Sequence, residues 1–178
     1  MQRILKSLVT ISALSSLAIA PVFLSAGKVV AETPKGTDAS YVGAGIAAGV
    51  TEGGQKNDAP TFGGNITARV KLGSAPVSVR GNVLWSDQTS AIIPELSLDV
   101  PLANKTNAYI TGGYSFVEKE GAATPLGNRD SVVVGAGVES EVAKNIMVYT
   151  NAKVGLRAYE NSPASAVSIN AGLGYSFK

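Results

Sequence analysis

The chain has no cysteine and no histidine among its 178 residues, and only 16% of them are charged. The first absence excludes a disulfide framework, a thiol nucleophile and a lipid-modified cysteine. The second removes the serine–histidine pairing of common hydrolases, and the two together remove Cys/His zinc coordination. An excess of one charge is missing too, since 15 basic and 13 acidic residues give +2. Three of the basic residues, Arg3, Lys6 and Lys28, fall in an N-terminal leader, and its removal leaves 12 basic against 13 acidic residues, a net charge of −1. Nucleic acid is therefore not expected as a partner. Beyond Ser40 no stretch approaches the roughly 18 consecutive apolar residues of a transmembrane helix, and helical apolar stripes are scarce.

What is present begins with an address. Met1 to Lys6 carries Arg3 and Lys6 without an acidic residue, and Leu8 to Leu24 is an apolar or small run broken by Ser12, Ser15, Ser16 and Pro21. This is the pattern of a cleavable secretory signal peptide over residues 1–31. Val29 and Ala31 suit the positions before a cut that starts the mature chain at Glu32, with Ala26 as the competing site. An uncleaved anchor helix is the alternative, against which the apolar core is short for a span of about 20 residues. A short polar segment, 32–39, follows the leader and is expected to lie in the periplasm ahead of the barrel.

From Ser40 the periodicity is two. Val77, Val79, Gly81, Val83 and Trp85 alternate with Ser78, Arg80, Asn82 and Leu84. Phe62, Ile66, Ala68, Val70 and Leu72 alternate with Asn65, Thr67, Arg69 and Lys71. Near the end Val167, Ile169, Ala171, Leu173, Tyr175 and Phe177 oppose Ser168, Asn170, Gly172, Gly174 and Ser176. Such alternation predicts strands. There are eight: Ser40 to Val50, Thr61 to Leu72, Val77 to Ser86, Ala91 to Leu102, Thr106 to Phe116, Asp130 to Val142, Ile146 to Arg157 and Ala164 to Phe177.

Each exceeds the roughly five or six residues usual in soluble sheets and is long enough for the ~9–11 that a tilted strand needs to cross a bilayer. Short connections at Gly73 to Pro76, Ala103 to Lys105 and Ala143 to Asn145 alternate with longer ones at Thr51 to Pro60 and Val117 to Arg129. Asp87 to Ser90 is short for the long-loop side. The expected fold is all-β: an eight-stranded antiparallel up-and-down transmembrane barrel over residues 40–178, closed so that no edge faces lipid. Pro94 and Pro101 fall inside the fourth strand, where each should remove a ladder donor, so that strand is expected to be shorter or bulged.

Alternation alone fits either a lipid-facing barrel or a soluble periplasmic barrel with an apolar interior. The polar parity favours the membrane: Arg69, Lys71, Arg80, Glu95, Asp99, Glu139, Glu141, Lys153 and Arg157 stand among many small uncharged residues, as suits a narrow lumen. Arg69 is expected opposite Arg80, a costly pairing unless a carboxylate intervenes. Glu95 is the candidate, with Asp99 and Lys71 as further members of the network. Pairing of buried charges against desolvation is the plain account of such a network, and gating is its functional alternative. On the apolar parity Phe62, Trp85, Tyr114 and Phe116 gather near the long loops and Tyr175 and Phe177 near the other end, as an aromatic girdle would. Tyr41, Tyr109 and Tyr149 fit either face. Gly43-Ala-Gly-Ile is not a dinucleotide fingerprint, because no helix opens after it. No catalytic residue, metal ligand or cofactor is expected.

Ser168-Ile-Asn-Ala-Gly-Leu-Gly-Tyr-Ser-Phe177, with weaker Gly112-Gly-Tyr-Ser-Phe116 and Gly135-Ala-Gly-Val-Glu139, resembles the small outer-membrane β-barrel superfamily, of the opacity-porin or outer-membrane-protein-A membrane-domain type. The resemblance covers the whole chain after Ala31. It implies export to the outer membrane, outer-membrane lipid as surroundings, and the barrel-assembly machinery as a partner reading Leu173, Tyr175 and Phe177; Lys178 departs from the terminal aromatic of that signal. The function expected is a non-enzymatic, porin-like or structural envelope role. The alternatives are a surface-interaction module binding a ligand through its outward loops, and the soluble barrel.

Overall fold

In the computed structural model residues 34–53 and 61–177 are described. The leader, both cleavage positions, the loop tip 54–60 and Lys178 lie outside them. Every regular element among the described residues is a strand: β1 Ser40–Gly49, β2 Phe62–Lys71, β3 Val77–Trp85, β4 Ser90–Ala103, β5 Thr106–Val117, β6 Ser131–Ala143, β7 Ile146–Leu156 and β8 Ala166–Phe177. Each pairs antiparallel with its sequence neighbour, and β1 also pairs with β8, from Ser40 opposite Phe177 to Gly49 opposite Ser168, closing the barrel.

Period two dictates which way each side chain points. The apolar parity faces outward: Phe62 is 68% exposed, Leu173 63% and Tyr175 62%. None of the outward positions on the eight strands is charged. The other parity is buried and mostly polar. A soluble barrel with an apolar interior requires the reverse arrangement, so that alternative falls.

Two hairpins close with two-residue turns, Asn104-Lys105 and Lys144-Asn145, each next to a register shift, between Pro101 and Ala103 in one and between Glu141 and Ala143 in the other. Lys105 (φ 60°) and Asn145 (φ 64°) occupy the left-handed region. Asparagine adopts it readily, whereas lysine loses about 1 kcal/mol there. The first short turn spans residues 72–76. At the opposite end the connections are 50–61, 86–89, 118–130 and 157–165. That last loop, beginning where the sequence pattern still suggests strand, holds Arg157 at φ 54°.

The prolines do not shorten β4, which at 14 residues is the longest strand. Pairing with β5 stops at Ile92 opposite Phe116 and resumes without slippage at Glu95 opposite Gly113, stepping over Pro94. Gly113 permits this: a Cβ there would strike the Pro94 carbonyl. At Pro101 the ladder is bulged, as one of the two expectations has it.

Candidate functional site

The inward parity of β2, β3, β4 and β6 brings four charges together toward the short-turn end. Arg69 stands opposite Arg80 in the ladder. Asp99 lies between them, with Arg69 Nη2 at 2.8 Å and Arg80 Nη2 at 3.0 Å. Glu139 joins the same two cations from across the barrel, at 3.1 Å to Arg69 and 2.9 Å to Arg80. The remaining valences are filled. Arg69 Nε donates to Ser78 Oγ (3.0 Å), Arg80 Nε to Ser97 Oγ (2.9 Å), Ser97 Oγ to Asp99 (2.9 Å), and Ser78 Oγ also donates to Asp99. Tyr41 donates to Glu139 at 3.0 Å, and the Arg80 guanidinium lies 3.7 Å above the Tyr109 ring centre. The ring is neutral and completely hydrogen-bonded, the condition under which buried charge is tolerated.

A second neutral pair sits farther along the lumen. Lys153 Nζ lies 2.5 Å from Glu95, whose carboxylate also accepts from Asn82 (2.6 Å) and Thr111 (3.1 Å). The expected place of Glu95 between the two arginines is thus taken by Asp99 and Glu139. Glu95 is beside Arg80 in the β3–β4 ladder, but Lys153 reaches it from the opposite wall. Three further expected members leave the lumen. Lys71 is half-buried at the short-turn rim, paired with Asp38, and Glu141 is half-buried at the same rim, 3.3 Å from Lys105. Arg157 is exposed, because its left-handed backbone breaks the alternation that would have turned it inward.

Both ends of the lumen are filled. At the short-turn end a strap of residues 36–39 lies against the charged ring. Arg69 Nη1 donates to the carbonyls of Thr37 (3.3 Å) and Ala39 (2.9 Å). Asn107 holds both sides of one peptide residue, accepting from Thr37 N–H at 3.1 Å and donating to Thr37 C=O at 2.7 Å. Gly36 has φ +40°, and a Cβ on it would collide with the Asn107 side chain.

At the long-loop end the filling is apolar. Leu126 and Tyr159, from the β5–β6 and β7–β8 loops, pack with Ala47, Leu84, Ile93, Val133, Ala158 and Ala166. Leu126 is carried on a tight turn in which Thr124 N–H donates to Gly127 C=O (2.8 Å) and Thr124 Oγ1 donates to the same carbonyl (2.6 Å). Ser86 Oγ ties that loop to the β3–β4 turn through Ala123 C=O (2.6 Å), and Asn128 N–H ties it to Ala158 C=O (2.9 Å). Tyr159 Oη donates to Thr51 C=O at 2.8 Å, joining a third loop. The strap and the plug were missed in the sequence. The plug's signal is Leu84, Ile93 and Val133, apolar residues on the polar parity at one level of the barrel.

Tyr41, Tyr109 and Tyr149 all point inward. Phe62, Trp85, Tyr114 and Phe116 face outward at the long-loop end, with the Tyr114 and Phe116 rings 4.9 Å apart. Leu173, Tyr175 and Phe177 face outward along β8 toward the short turns. Among the described residues no three acidic side chains converge on a point that could hold a metal ion.

The chain forms a closed barrel of eight strands with an uncharged apolar exterior and a filled polar lumen, and residues 10–177 match the model of the outer membrane protein beta-barrel domain. The chain belongs to that family. Its fold is similar to that of three proteins of known structure. Ail, the attachment invasion locus protein of Yersinia pestis, superposes with a TM-score of 0.55 at 15% identity, over 79% of this chain and 99% of Ail. Neisserial surface protein A gives 0.52 at 16% identity, over 78% and 97%. The N-terminal β-barrel domain of Pseudomonas aeruginosa OprF gives 0.50 at 11% identity, over 79% and 98%. At these identities the likeness is one of fold. No curated protein matches the chain in sequence. The protein is an outer-membrane β-barrel.

Proposed function

We propose that the chain is a sealed structural barrel of the outer membrane, its short turns and strap toward the periplasm and its long loops outward, the usual orientation of such barrels. The observation that carries this reading is the filled lumen. An apolar plug around Leu126, the Arg69–Asp99–Arg80–Glu139 ring and the Thr37 strap succeed one another along it. An eight-stranded barrel leaves room for little besides side chains. Every lumen carboxylate is engaged by a cation or hydroxyl, which supports a non-catalytic role. The test is conductance of the purified barrel in planar bilayers. Baseline current is expected; steady ohmic steps of general-porin size would overturn the reading.

A second reading, contact with a surface ligand through the loops, is favoured by their cross-linking. A platform tied together through Ser86, Ala123, Asn128, Ala158 and Tyr159 presents Glu118, Lys119, Glu120, Arg129 and Glu160 at little entropic cost on binding. Replacing residues 118–130 by a short Gly-Ser turn and measuring attachment of cells expressing the barrel tests it. Unchanged attachment would remove it.

A further inference from the structure

The two rims of the barrel differ in charge. Among the described residues the long-loop end carries Glu52, Asp87, Glu118, Glu120, Asp130 and Glu160 against Lys119, Arg129 and Arg157. The short-turn end reverses this, with Lys35, Lys71, Lys105 and Lys144 against Asp38 and Glu141. Its two ion pairs, Lys71–Asp38 and Lys105–Glu141, consume both acids and leave Lys35 and Lys144 exposed. Lysines mark the turns around the circumference: Lys71 precedes the first, Lys105 lies in the second and Lys144 in the third.

Lys105 is the informative member. It holds a left-handed backbone that the equivalent turn gives to Asn145. Local preference is overridden at that position, and what the lysine adds is an ammonium on a long flexible stem, 53% exposed at the rim. Its 3.3 Å contact with Glu141 uses one of three donors and leaves the others for a second acceptor.

Directly beyond these ammonium groups the outward band begins, with exposed Val42, Leu72, Val142, Ile146, Tyr175 and Phe177. A group bound by the lysines therefore lies at the depth where acyl chains end and headgroups start. A phosphodiester attached to acyl chains satisfies both surfaces at once, whereas a free anion satisfies one. We propose that the short-turn rim is a binding surface for anionic phospholipid of the adjoining leaflet, with Lys35, Lys105 and Lys144 contacting headgroup phosphates.

Native mass spectrometry of the folded barrel, offered equal phosphatidylglycerol and phosphatidylcholine of the same chain length, tests this. The wild type should retain the anionic lipid with a preference of about fivefold for each engaged lysine. A Lys105→Asn, Lys144→Gln double variant, whose first change suits its turn, should keep the heat-dependent gel mobility of a folded barrel and lose most of that preference. Lys119→Gln with Arg129→Gln at the opposite rim should retain it. Equal retention of both lipids by the wild type would overturn the proposal. So would an undiminished preference in the first variant, or an equal loss in the second. Inorganic phosphate that raises the unfolding temperature as much as phosphatidylglycerol does would instead assign the lysines to free anions.

Discussion

Arg69 and Arg80 are direct cross-strand partners on β2 and β3, and each guanidinium shares the same two carboxylates, Asp99 from one side and Glu139 from the other. Like charges at that spacing repel by themselves. The alternating ring turns the repulsion into a cross-brace that joins β2, β3, β4 and β6 through the centre of the barrel, independently of the backbone ladder.

Removing one carboxylate charge from that brace leaves two buried guanidiniums sharing a single counterion, with one positive charge uncompensated. Asp99→Asn should cost about 3–5 kcal/mol, and Glu139→Gln a similar amount. Urea titration of vesicle-embedded protein, followed by Trp85 fluorescence, measures it. The two changes should be strongly non-additive, because they strip the same pair of cations.

Leu126 is the apolar residue that the β5–β6 loop inserts into the mouth. Leu126→Ala should cost about 2–5 kcal/mol of the loop's docking, while Leu126→Met should stay under ~1.5. Limited proteolysis within residues 118–130 reads the difference, with cleavage accelerated in the first variant and close to wild type in the second.

Asn107 clamps the strap, so Asn107→Ala should release Thr37 while the barrel stays folded. Amide hydrogen exchange at Thr37 should accelerate, and exchange along β2 and β5 should not. Gly36→Val should reproduce the effect from the other partner, since its Cβ would displace the Asn107 side chain. Protection of Thr37 that survives both changes would show that Arg69 alone suffices to hold it.

Lys105 and Asn145 occupy matching turns. Lys105→Asn should raise stability by about 1 kcal/mol, and Asn145→Lys should lower it by a comparable amount. Unfolding midpoints in detergent at high salt, where rim electrostatics are screened, isolate the backbone contribution.

The strands were legible because a lipid-facing wall and a polar lumen impose strict alternation over nine or more residues, as in Val77 to Trp85. The pairing of Arg69 with Arg80 was legible as well, since a short hairpin fixes its own register. The partners of those arginines were not. Glu139 lies 59 residues from Arg80, and Lys153 lies 58 from Glu95, and only the curvature of the closed barrel brings such residues together. Arg157 misled because one left-handed residue ends a period without changing composition. Leu126 was hidden for a related reason: it belongs to a loop, and nothing local tells a loop leucine that docks from one that does not.

The seam between β1 and β8 joins Ser40 to Phe177, strands from the two ends of the barrel sequence. Every other strand pair can zip from a hairpin, but this one requires the complete chain, with six strands already laid side by side. Until it closes, β1 and β8 each present a row of unpaired amides that hydrocarbon cannot satisfy. The half-built sheet is therefore a species that cannot rest in the bilayer. Synthesis, delivery and insertion have to be timed so that both ends of the chain arrive before either edge meets lipid.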